Sequence, residues 1–174
     1  MVRKPAKGFF LLRHDRSVLS VADVITSEER SRLMSRIRSK NTGPELLVRR
    51  LLHARGFRYR LHVRDMAGKP DLVFPKYRAA IFVSGCFWHG HDCPLFRLPG
   101  TRPDFWRDKI ERNRANDRRA VERLSSTGWR ILTVWECALR GRSKEDVGRV
   151  ADRIADWLRT GTVGNEITGR NAYA

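Results

Sequence analysis

The spacing of apolar and polar positions changes several times along the chain, and each change marks an element. Leu33, Met34 and Ile37 recur at helical spacing behind Thr26 and Glu29, which are placed as in a capping box, so a first helix is predicted from residue 26 to about residue 40. Gly43 and Pro44 open a second helix and Gly56 closes it. Over residues 57–62 the period shortens to two. Phe57, Tyr59 and Leu61 face one way and Arg58, Arg60 and His62 the other, the pattern of a half-buried strand. Residues 71–74 and 78–84 are two more strand-like runs around a turn at 75–77, the second apolar enough to be buried on both faces. Pro103 starts a long charged helix that stops at Gly128, and residues 129–135 read as another buried strand. Ser143 and Asp146 then begin an amphipathic helix that runs to about Arg159.

The predicted order is α-α-β-β-β-α-β-α, with no internal repeat. A long helix joining 78–84 to 129–135 is a crossover, so those two strands are expected to be parallel and close, with their C-terminal ends together. Cys86 and Cys137, each just past its strand, then come within reach of one ion. Folding back at 75–77 sets Asp71 opposite Phe82 or Val83, at the same end of the sheet. A carboxylate, a strand-end carbonyl and the imidazole of His89 converge there, a place suited to a hard cation and phosphodiester hydrolysis.

Residues 81–93 read IFVSGCFWHGHDC and hold two of the 3 cysteines and two of the 5 histidines. Cys86, His91 and Cys93 form a C-x4-H-x-C array that needs one more donor to close a structural zinc site, and Cys137 is the candidate. Spacing alone does not choose between His89 and His91 as the imidazole ligand.

Composition narrows the partner. Hydrophobic residues make up 41% of 174, enough for one domain with a real core. The formal charge of +17 favours a polyanion, nucleic acid first. No run approaches the roughly 20 apolar residues of a membrane span, and GFFLL is too short for a signal-peptide core, so an intracellular protein is expected. An odd number of cysteines there favours metal or free thiols over disulfides. Residues 1–22 are expected to be a flexible basic extension, 23–160 the folded domain and 161–174 a tail.

The stretches GKPDLVF, YRAAIFVSGCFWHGHDC, FWRDKIERN and WRILTVWECALRGR closely resemble the very short patch repair endonucleases, called Vsr, over residues 21–158. The resemblance implies an α/β fold with a restriction-endonuclease-like core: a mixed central sheet flanked by helices, with a structural zinc site. It implies a cytoplasmic, nucleoid-associated bacterial enzyme, monomeric, with other mismatch-repair proteins as candidate partners. Its substrate would be double-stranded DNA with a T:G mismatch left by deamination of 5-methylcytosine, nicked 5′ to the thymine. Position by position, Asp71 matches the carboxylate that binds catalytic Mg²⁺, helped by the carbonyl of Val83, and Glu45 matches a supporting carboxylate. His89 matches the general base, a role suited to an imidazole. Cys86, His91, Cys93 and Cys137 match the Zn²⁺ ligands. Phe87, Trp88 and Trp106 match an aromatic wedge, Met34 and Ile37 a second wedge from the minor groove, and Lys109 and Asn113 the readers of the mismatch. The chain departs from the pattern at Ser84, where the family has a further histidine. That departure keeps two alternatives in view: a zinc-stabilised module that binds distorted duplexes without cutting, and a restriction-type nuclease without mismatch specificity.

Overall fold

The computed structural model describes residues 40–162 and 164–170, together with Thr26, Glu28, Glu29 and Arg32. Backbone contacts group the chain into two units, Met1–Arg36 and Ile37–Ala174. In the first, Glu28, Glu29 and Arg32 are helical and the capping box is made in both directions. The Glu29 amide donates to Thr26 Oγ1 at 3.2 Å, and the Thr26 amide to Glu29 Oε2 at 2.9 Å. Leu33, Met34 and Ile37 lie outside the described residues.

The second unit is built on a four-stranded mixed sheet, in the order β1 (Leu72–Phe74), β2 (Ala79–Ser84), β3 (Arg130–Trp135), β4 (Glu166–Ile167). β1 and β2 are antiparallel, whereas β2–β3 and β3–β4 are parallel. Around the sheet run α1 (Gly43–Ala54), α2 (Pro103–Ser126), α3 (Glu136–Leu139) and α4 (Val147–Thr160). This is the expected mixed α/β architecture, with the β2–α2–β3 crossover in place.

Alternation along the strands sorts the core into two layers. Leu72, Phe74, Ala79, Ile81, Leu132 and Val134 pack with Val48 and Leu52 of α1 and with Val150, Ile154, Trp157 and Leu158 of α4. Ala80 and Ile131 pack on Leu124 of α2, with Phe82, Trp129, Met66 and Ala67 against them. The layer under α2 is thinner, and that helix buries only Ile110, Ala120 and Leu124. Helix ends follow local chemistry. Thr42 caps α1, Asp146 caps α4 by accepting from the Arg149 amide at 3.0 Å, and Gly161 leaves α4 at φ 72°. No helix among the described residues is long and apolar enough to cross a membrane.

Three expectations change. Residues 57–62 do not form a strand: a single bridge joins Arg60 to Val73, with hydrogen bonds of 2.8 and 3.0 Å. The alternation holds for buried Phe57 and half-buried Tyr59, but Leu61 is exposed and His62 sits at φ 54°, which turns the chain away from a β1 only three residues long. Secondly, Glu166–Ile167, within the expected tail, pair with Thr133 and Val134, and Ile167 is fully buried. Thirdly, α3 is four residues long, too short to leave a periodic signal.

Close backbone approach locks the segment after β4. The Gly169 amide donates to Cys137 Sγ at 3.3 Å and the Arg170 amide to the Ser143 carbonyl at 2.8 Å. A Cβ on Gly169 would lie 2.4 Å from the Cys137 carbonyl oxygen and 2.6 Å from that of Ser143. Gly169→Ala is therefore expected to cost about 1–3 kcal/mol in urea unfolding. Gly43→Ala, with nothing within 4 Å, should stay within about 0.5 kcal/mol of the parent.

Candidate metal centre and active site

β2 and β3 pair in a register that sets Ser84 beside Trp135, and each strand is followed two residues later by a buried cysteine, Cys86 or Cys137. Turns after β2 bring His91 and Cys93 back to the same point, helped by the His91 amide donating to the Cys86 carbonyl at 3.0 Å. The four candidate ligand atoms all lie within 4.8 Å of one another, and Cys137 Sγ is 3.6 Å from His91 Nδ1. The His91 ring stacks on Trp135 with centroids 4.2 Å apart.

Three thiols and an imidazole so close can hold a metal ion, and the donor set suits tetrahedral zinc. Hydrogen bonding with Cys86 pulls Cys137 down to about 5, while the same bond and burial push Cys86 far up, so the pair retains a proton that a metal would displace. The Gly169 amide steadies the Cys137 sulfur, and Glu136 accepts from the Cys86 amide at 3.1 Å. His89 stays out of this cluster. Its Nδ1 lies 2.5 Å from Asp117 Oδ2 on α2.

Asp71 precedes β1, and its amide bonds to the Ile81 carbonyl at 3.0 Å, which extends the β1–β2 register so that Asp71 faces Phe82. Its Oδ2 accepts from the Val83 amide at 2.7 Å. Burial raises Asp71 to about 6 despite that bond; Glu45 raises it further, and Arg49 and His89 pull it down. A carboxyl held this high is short of positive charge, the condition a bound divalent cation relieves. Glu45 is buried and saturated: Thr42 Oγ1 donates to it at 3.0 Å, the Asn41 amide at 2.9 Å and Arg49 Nη2 at 3.0 Å. The buried Nε of Arg49 has no partner among the described residues.

Phe87, Trp88 and Trp106 form a half-buried cluster with ring centroids 5.1 to 6.1 Å apart. Lys109 Nζ sits 5.3 Å from the Trp88 ring and 5.4 Å from that of Trp106. α2 also grips the loop that follows β2. Asn113 donates to the Trp88 carbonyl at 2.7 Å, and Arg114 donates to the His89 carbonyl at 3.0 Å and to that of Gly90.

Comparison with known proteins gives this geometry a family. The family model described as DNA mismatch endonuclease Vsr matches residues 22–95. The DNA mismatch endonuclease Vsr of Escherichia coli K12 is 43% identical over 138 residues, 79% of this chain and 88% of its own length. The chain belongs to the Vsr family. The type II nicking enzyme V.XorIIP of Xanthomonas oryzae pv. oryzae is 47% identical, covering 79% of this chain and 98% of the relative. V.NmeAIP of Neisseria meningitidis, a type II nicking enzyme, is 39% identical over 78% of this chain and 99% of its own length.

Set against the Vsr expectations, the structure gathers Cys86, His91, Cys93 and Cys137 into one cluster, and Phe87, Trp88, Trp106 and Lys109 into another. Asp71, Glu45, Val83 and His89 share the strand-end region. Met34 and Ile37 fall outside the described residues. Sequence reasoning missed Asp117 and Arg49. Asp117 is one of many charged residues on a charged helix, and only the fold reveals that it meets His89. The i, i+4 spacing of Glu45 and Arg49 could have flagged their pairing, although not their burial.

Two outcomes follow. The raised Asp71 makes folding bind a proton, so its ionisation costs stability as pH rises from about 4 through 6, and the penalty is full above that. Asp71→Asn should therefore raise the unfolding free energy of the Mg²⁺-free protein at pH 7.5 by up to about 3 kcal/mol, a gain that urea titration finds absent near pH 3.5. Elemental analysis should find about one zinc per chain, lost together with several degrees of melting temperature in Cys137→Ala.

Proposed function

We propose that this family member is a Mg²⁺-dependent endonuclease that nicks duplex DNA 5′ to the thymine of a T:G mismatch derived from 5-methylcytosine, the step that begins very short patch repair. One juxtaposition carries the reading: the half-buried Asp71 carboxyl and an Asp117-held imidazole lie at the strand ends, beside the Phe87–Trp88–Trp106 cluster.

As a carboxylate Asp117 only accepts, so it fixes the proton of His89 on Nδ1 and leaves Nε2 free to take one from the attacking water. The Asp117 charge then stabilises the imidazolium that forms. Asp71, with the Val83 carbonyl, is the holder we assign to Mg²⁺, and Glu45 supports it. When bound, the ion supplies positive charge to the phosphate and favours deprotonation of the attacking water. Ser84 carries no cationic acid, so protonation of the leaving oxygen falls to water or a basic side chain.

Edge-to-face aromatics flanked by a lysine suit insertion beside a base pair. Unstacking a step costs a few kcal/mol, and less where pairing is already weak, which favours a mismatch. Lys109 and Asn113 read the pair, while Met34 and Ile37 serve as a second wedge from the minor groove. The protein works as a monomer in the bacterial cytoplasm at the nucleoid, where other mismatch-repair proteins join it. Ser84 favours one second reading, recognition of the distorted duplex without cutting.

The test is nicking of end-labelled T:G, T:A and C:G duplexes with Mg²⁺ by the parent, Asp71→Ala and His89→Ala. Cleavage confined to T:G, falling by at least about 100-fold in both variants, supports the proposal. Equal cutting of all three duplexes removes mismatch specificity, and tight T:G binding without nicking establishes the second reading.

A further inference from the structure

We propose that Arg112 reads a guanine in a base pair adjacent to the mismatch, which makes it a specificity-determining residue; this rests on the mismatch reading above. An open depression along α2 is lined by Phe105, Lys109, Arg112, Asn113 and Asn116, residues whose spacing places them on one helical face. Most of their polar groups are already engaged. Lys109 lies over the aromatic rings, the Asn113 amide is held by the Trp88 carbonyl, and Asn116 Oδ1 accepts from Arg119 at 2.6 Å.

Arg112 differs. Its Nε bonds to the Asp108 carbonyl of its own helix at 3.2 Å, which orients the guanidinium, and its two terminal nitrogens have no acceptor among the described residues. Neighbouring arginines are occupied: Arg107 pairs with Asp104, Arg118 with Glu111, and Arg114 holds the loop carbonyls. A free, oriented pair of N–H donors matches the O6 and N7 acceptors of guanine, and the major groove admits an α-helix. Position agrees as well. Arg112 is three residues beyond Lys109, about 4.5 Å along the helix axis, close to the roughly 3.4 Å between stacked base pairs. If Lys109 addresses the mismatch, Arg112 is level with the next pair.

The experiment measures kcat/KM with Mg²⁺ for the parent, Arg112→Ala and Arg112→Lys on T:G duplexes with each base pair in turn on either side, and on the same series with T:A. The parent should prefer a guanine at one flanking position by about 10- to 100-fold. Both variants should lose that preference while keeping the ratio of T:G to T:A cutting, and the lysine should retain most of the rate on non-preferred flanks. A uniform loss on all flanks in Arg112→Ala would make the residue a phosphate contact and overturn the proposal. So would a flanking preference that survives both substitutions. If T:G and T:A are cut alike, the mismatch reading falls, and both series still report the flanking preference on its own.

Discussion

Everything in the site depends on the parallel pairing of two apolar strands in one register. Six consecutive residue pairs, from Ala79 with Arg130 to Ser84 with Trp135, run to a common end, so whatever follows each strand must meet its counterpart. Cys86 and Cys137 meet because each lies two residues past that end. The apolar core fixes this geometry without reference to chemistry. A slip of one residue along β3 would turn Leu132 and Val134 to the wrong face and would also part the thiols. The fold and the Cys–His cluster are thus one constraint.

Electrostatics divide the strand-end region into two parts. On one side the Glu45–Arg49 pair is satisfied and buried, an arrangement whose breakage would leave an uncompensated charge costing about 3–5 kcal/mol. On the other, Asp71 has one hydrogen bond and an unfavourable burial. The contrast separates a carboxylate whose charge is fully met from one whose burial outweighs the positive charge near it. Stability is given up at Asp71, where burial is less well compensated than at the neighbouring Glu45.

Much of this was legible in the sequence, for physical reasons that can be named. Residues 78–84 and 129–135 announce themselves because burial on both faces demands unbroken apolar runs, and the long helix between them leaves little choice but a parallel crossover. The cysteine and histidine spacing gave the cluster, and the fold excluded His89 from it by giving that ring another partner. What sequence could not supply was whatever depends on meeting at a distance. Phe57 and Tyr59 alternate like a strand, yet β1 offers only one bridge. Ile167 has no flanking pattern, yet it completes the sheet because a hydrophobic edge was waiting beside Val134. Asp117 has no local mark at all.

The thin attachment of α2 has a consequence for how such a protein can change. Three buried side chains secure a helix of 24 residues, and a few contacts from Asn113 and Arg114 tie it to the loop that carries His89. Beyond these and the contacts of Trp106, Lys109 and Asp117, its outward surface answers to neither the core nor the Cys–His cluster. Substitutions there can alter what the protein touches while leaving intact how it folds, so the outer face of this helix is the part of the scaffold most open to change.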